Sequence, residues 1–174
     1  MTRTFTPSEV QELGAPAPDN LRDQRRRGLL EGVGHILLPS GKKTSRIEDA
    51  LLAGVARPAW LYSLGDVVIL AIAKSLGTVT SDLFAQIHLA KQIAPHVVEF
   101  ANKGTPLPSL VDNRFAVAWR EDEDDLSFKC IRTNNLNDIP NFGVARAIVV
   151  DMKREAELLP AKLIEHLAKI GGAA

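Results

Sequence analysis

The chain has 174 residues, 45% of them apolar and 24% charged, with 21 lysines and arginines against 21 aspartates and glutamates. That length and composition suit one ordinary domain or two small ones with a buried core, and they exclude a largely disordered chain. The zero formal charge excludes a uniformly basic nucleic-acid coat and an acidic tail protein, but it leaves room for a local basic face.

In chain order, the first helix signal is Thr6-Pro7-Ser8-Glu9: a capping hydroxyl, a proline at the first helical position and a glutamate in the first turn. Gly14, Pro16 and Pro18 keep that helix short. A second helix restarts at Pro18, carries Asp19 and Asp23 toward its start and Arg25, Arg26 and Arg27 in its last turn, and ends at Gly28. His35–Leu38 reads as a strand, Pro39–Thr44 as a basic turn, and Ser45-Arg-Ile-Glu48 as a capping box opening a helix to about Val55. Arg57–Tyr62 looks extended. Ser63–Asp66 caps an apolar helix to about Leu76, and Thr80 or Ser81 starts a longer one that Pro95 is expected to kink or split. Thr105-Pro-Leu-Pro-Ser109 reads as a linker, dividing the chain into residues 1–104 and 105–174. Beyond it, Arg114–Arg120 alternates as a strand, Glu121–Asp125 is an acidic turn and Leu126–Arg132 the return strand. Asn134–Asn141 is a polar loop, Arg146–Asp151 a third strand, and Lys153–Ile170 an amphipathic helix containing Pro160. The expected class is α+β, with a β-β-β-α module at the end serving dimerisation or a partner.

The short helix, glycine turn and second basic helix make a helix-turn-helix candidate. Leu21 is expected to pack inward on Val10 and Leu13, while Asn20, Arg22, Asp23, Gln24 and Arg26 project outward. Asn, Arg and Gln are the residue types that pair bidentately with adenine and guanine. Arg22, Arg25, Arg26, Arg27, Lys42, Lys43 and Arg46 stand against only Asp23 and Glu31 between positions 22 and 46, so neutrality overall hides a local basic face.

The stretches Phe5–Gly14, Ala17-Pro-Asp-Asn-Leu-Arg22 and Arg26-Arg-Gly-Leu-Leu30, followed by Leu61-Tyr-Ser-Leu-Gly-Asp-Val-Val68, resemble the winged helix-turn-helix of MerR-type transcription regulators over residues 4–76. The resemblance implies a sequence-specific transcriptional regulator that binds double-stranded DNA as a homodimer on a pseudo-palindromic site. By position it implies a recognition segment from Pro18 to Gln24, base contact by Arg22, and phosphate contact near Arg26. Its wing falls within residues 33–62, with Lys42, Lys43 and Arg46 as phosphate binders. Here the sequence departs from the family in its longer wing segment, in Ala17 where a capping Ser or Thr is usual, and in Leu61 before the tyrosine.

Other chemistry is not signalled. His35, His88, His96 and His166 have no ligand spacing with one another or with the single cysteine, Cys130, so neither a metal site nor a disulfide is expected. No phosphate-cradling glycine loop or nucleophile elbow is found, and no cofactor or enzymatic activity is expected. The longest apolar run, Val67–Ala73, is far short of the roughly 20 residues of a membrane helix. The N-terminus has no signal core, and a cytoplasmic protein without membrane attachment is the expectation. Alternative readings are a protein-interaction module of the anti-activator kind and an architectural or excisionase-type DNA binder.

Overall fold

A computed structural model describes residues 3–102, 113–119, 129–137 and 147–171. The fold is α+β, with seven helices and two small three-stranded antiparallel sheets among the described residues. Two compact units, Met1–Ala71 and Ile72–Ala174, divide the chain; the expected linker at 105–109 lies outside the described residues.

In the first unit, α1 (Pro7–Glu12) starts as its sequence predicts. Thr6 Oγ1 accepts from the Glu9 amide at 3.4 Å, and the Glu9 carboxylate accepts from the Thr6 amide at 2.7 Å. Both bonds satisfy donors that a helix start leaves open, and the Thr6 amide, with the Thr6 hydroxyl donating to the same carboxylate, holds the Glu9 carboxyl below its ordinary range. A turn through Gly14, at φ +97°, leads to α2 (Pro18–Arg26). Leu21 is buried in the same core as Val10 and Leu13. β1 (His35–Leu37) is the central strand of the first sheet, with β2 (Lys43–Thr44) on one side and β3 (Trp60–Leu61) on the other. Beside β3, Phe5 and Tyr62 exchange backbone hydrogen bonds of 2.8 and 2.9 Å, and both side chains are buried. The segment before α1 is thereby stitched to the end of the sheet.

Between β2 and β3 lies α3 (Ile47–Leu52). Its start corrects the expected Ser45 box. Arg46 is the cap residue and makes no side-chain cap bond. Instead Thr44 Oγ1 accepts from the Arg46 amide at 3.1 Å and donates to Asp49 at 2.9 Å. The hydroxyl one residue earlier takes the role because it stands at the end of a paired strand, while Ser45 is exposed. The box at Ser63–Asp66 forms as expected, with the Asp66 carboxylate accepting from the Ser63 amide at 2.7 Å, and opens α4 (Leu64–Leu76).

In the second unit, α5 (Leu83–Ala101) is capped neither by Thr80 nor by Ser81. Asp82 accepts from the Phe84 and Ala85 amides at 3.0 and 3.1 Å, because a carboxylate answers both the open donors and the positive end of the helix dipole. Pro95 does not split α5, which is continuous through it. β4 (Phe115–Trp119) is central, flanked by β5 (Lys129–Thr133) and β6 (Ile148–Asp151). Ala116, Val117, Ala118 and Trp119 are all buried, so this strand is covered on both faces despite its alternating sequence. The acidic turn 121–125 lies outside the described residues. The final helical stretch is two helices, α6 (Met152–Leu158) and α7 (Ala161–Gly171), parted at Leu159 and Pro160. Leu159 is extended, at φ −60° and ψ 139°, as a residue before proline prefers.

Candidate nucleic-acid interface

Helical spacing gives α2 two faces. Pro18, Leu21, Arg22, Arg25 and Arg26 share one stripe. Together with Pro7, Ile47, Pro58, Ala59, Trp60 and Tyr62 they line a cleft of about 490 Å3. Asn20 and Asp23 are exposed away from that stripe, as is Arg27, which pairs with Asp23 at 2.9 Å. The expected outward set is therefore divided: Arg22 and Arg26 border the cleft, while Asn20 and Asp23 stand elsewhere on the helix. Gln24 departs further. It is half-buried and its Oε1 is sequestered without a hydrogen-bond partner among the described residues, because its position falls toward the core side rather than on the open face.

Arg25, expected in the basic DNA-binding face, departs from it as well. Its guanidinium lies over the Trp60 ring, 3.3 Å from the centroid. Its Nη2 donates to the Val33 carbonyl at 2.8 Å and to the Tyr62 hydroxyl at 3.3 Å. The side chain thus clamps α2 to β3 and to the turn before β1. Cation–π stacking and a hydrogen bond from a charged donor are each among the stronger of the weak forces. Trp60 and Tyr62, which the sequence reading placed in an extended segment without a role beside α2, are neighbours of that helix. The signal for them was the two-residue spacing, which points both side chains to one side of a strand.

The remaining basic positions differ in their surroundings. Arg22 is exposed and lies 3.3 Å from Asp19. Arg46 is exposed, 3.9 Å from Glu48 and 4.0 Å from Asp49. Such open pairs are worth about 0–1 kcal/mol and yield readily to a competing anion. Lys42 and Lys43, at the β1–β2 turn, and Arg26 are exposed and form no ion pair among the described residues. Near them His35 is held below the usual imidazole range, chiefly by burial and then by the Lys43 charge.

No three His, Cys, Asp or Glu side chains gather as a metal site among the described residues. Burial pushes the Cys130 thiol up, which keeps it protonated and unreactive at neutral pH. Among the described residues no helix is long and apolar enough to cross a membrane. No protein-family model matches the chain, and no curated protein matches it.

Proposed function

We propose that residues 4–76 are a winged helix-turn-helix of the MerR type that binds double-stranded DNA, and that the chain acts as a homodimeric, sequence-specific transcriptional regulator on a pseudo-palindromic site. What supports this reading is that one compact unit carries both α2, with exposed Asn20, Arg22 and Arg26, and a β1–β2 hairpin with exposed Lys42 in its turn and exposed Lys43 at the start of β2, neither in an ion pair among the described residues. A helix of that composition supplies base-reading groups, and a basic hairpin supplies phosphate contacts. The clamp at Arg25 fixes α2 to Trp60, Tyr62 and the turn before β1, the strand that leads into the hairpin, a preorganisation that a two-part DNA contact needs. The outer strands β5 and β6, with Val149 exposed on the latter, are the self-pairing surfaces this reading assigns to the dimer.

A second reading, a protein-interaction module on the same scaffold, is favoured by Leu37, Ile47, Leu51 and Leu52. They are 49%, 43%, 53% and 88% exposed on β1 and α3.

Fluorescence anisotropy over a salt series, on DNA upstream of the chain's own coding sequence and on scrambled DNA, tests the first. A preference of about a thousandfold with a steep salt slope is expected. Arg22→Ala should cost roughly 1–3 kcal/mol on the preferred sequence only. Lys43→Ala should weaken all sequences alike and flatten the slope. Sequence-blind binding would point to an architectural role. Absence of binding at low salt would overturn DNA recognition in favour of the second reading.

A further inference from the structure

The cleft between α2 and β3 has a chemistry that phosphate contact does not call on. Its walls are Pro7, Leu21, Ile47, Pro58 and the Trp60 ring, and no carboxylate is among the residues lining it. At its border stand Arg22, Arg25 and Arg26. A phosphodiester needs charge and hydrogen bonds but gains nothing from apolar walls, whereas a ligand with a flat hydrocarbon body and one anionic head uses both. Two of these guanidinium groups are ready to donate. Arg25 spends only Nη2 on Val33 and Tyr62, leaving Nε and Nη1 of its five-donor fork. Arg26 makes no hydrogen bond or ion pair among the described residues. The volume, about 490 Å3, falls within the roughly 300–1,000 Å3 of small-molecule sites.

We propose that this cleft binds a small organic anion with a planar apolar body, an aryl carboxylate in the simplest case. The ring lies between Trp60 and the proline walls, and the carboxylate is held by Arg26 and Arg25. Arg25 is preorganised for the task, since its stack on Trp60 and its bond to the Val33 carbonyl fix the guanidinium before any ligand arrives. A bidentate guanidinium–carboxylate contact beside an apolar wall is the strong form of that interaction. The cleft lies within the first unit and its occupancy does not depend on DNA.

The test is a 15N–1H correlation spectrum of the full chain without DNA, titrated with 2-naphthoate. The chain has two tryptophans, and Trp60→Phe assigns their indole peaks. The Trp60 indole peak should move saturably with 2-naphthoate while the Trp119 peak stays still. The uncharged 2-naphthalenemethanol should bind about tenfold more weakly, and Arg26→Gln should bring naphthoate down by a similar factor. Inorganic phosphate should leave the Trp60 peak unmoved. Equal binding of the alcohol would overturn the proposal by reducing the cleft to an apolar crevice. An equal response to phosphate would overturn it in favour of a plain anion site. A Trp60 peak that naphthoate does not move would overturn it outright. None of these results bears on DNA recognition, because Arg26→Gln and the ligands are read in its absence.

Discussion

Gly34 carries its constraint through what it lacks. Its φ is +77°, and a Cβ there would stand 2.9 Å from Tyr62 Cε1 and 3.1 Å from Arg25 Nη2. Gly28 is similarly left-handed at φ +74°, but a Cβ there meets nothing within 4 Å. Alanine pays roughly 1–2 kcal/mol for left-handed backbone at either place. Only at Gly34 must it also push aside a buried tyrosine ring and a clamped guanidinium, at an overpacking cost of about 1–3 kcal/mol. Urea unfolding should therefore show Gly28→Ala losing about 1–2 kcal/mol and Gly34→Ala losing about 2–5 kcal/mol. Equal losses would mean that the Arg25–Tyr62 contact yields freely and holds nothing in place. The same clamp explains why Arg25 read differently in the sequence. Its helical position put it on a basic stripe, but only the return of Trp60 and Tyr62 in β3 turns its guanidinium inward.

At the scale of elements, two prolines in helical patterns meet opposite fates. Pro160 stands just ahead of α7, and its carbonyl accepts from the Leu163 and Ile164 amides at 2.9 and 3.1 Å, so the missing N–H costs nothing. Pro95 stands inside α5, exposed to solvent, while Ile87, Ala90, Ile93, Ala94 and Val97 bury the opposite stripe. Burying side chains of that size at about 1.5–3 kcal/mol each for the larger ones outweighs an interior proline's roughly 3 kcal/mol. Pro95→Ala should restore a backbone donor and raise the urea midpoint, by an amount equivalent to about 1–3 kcal/mol. A lowered midpoint would show that the proline sets a bend on which the packing of α5 against α6 depends. Local chemistry made most element starts legible: the Thr6 and Ser63 boxes, the helix end at Gly28, the strand patterns around β4 and β6. What stayed hidden was decided by partners far along the chain. Thr44 displaced Ser45 because it ends a paired strand, and Asp82 displaced Thr80 because its carboxylate reaches two amides. In the candidate interface, the exposed lysines and the inward Leu21 were legible, whereas the cleft was not, since its opposite wall comes from the segment before β3.

Over the whole molecule, the basic stretch at 22–46 and the histidines set how the fold responds to its medium. Burial lowers the pKa of His35 in the first unit and of His88 in the second, with the Lys43 and Lys91 charges acting in the same direction. An imidazole whose folded pKa is depressed takes up its proton more readily in the unfolded chain. It therefore contributes stability that is complete above the unfolded value near 6.5, and that stability is lost as pH falls from there through the folded value. The shifted carboxyls lie outside this window or act against it. Glu9 and Asp151 are held low, by bonds from Thr6 and from Arg114 respectively, and lose their contribution only in stronger acid. Glu155 is raised by burial, so its contribution is complete below the ordinary carboxyl pKa and is lost as pH rises through the folded one, opposing His88 in the same unit. Among the described residues, the first unit has no such opposing group among its shifted side chains. Hydrogen exchange read by mass spectrometry, corrected for intrinsic rates, should show peptides within residues 5–71 losing protection as pH falls from about 7 to below the ordinary imidazole value of about 6.5. Peptides from α5 should change less. His35→Gln removes the titrating group and should flatten the response of the first unit while leaving that of α5 as it was. If residues 5–71 hold their protection across that interval in the wild type, His35 is open enough to bind its proton without cost, and its burial beside Lys43 has no energetic weight.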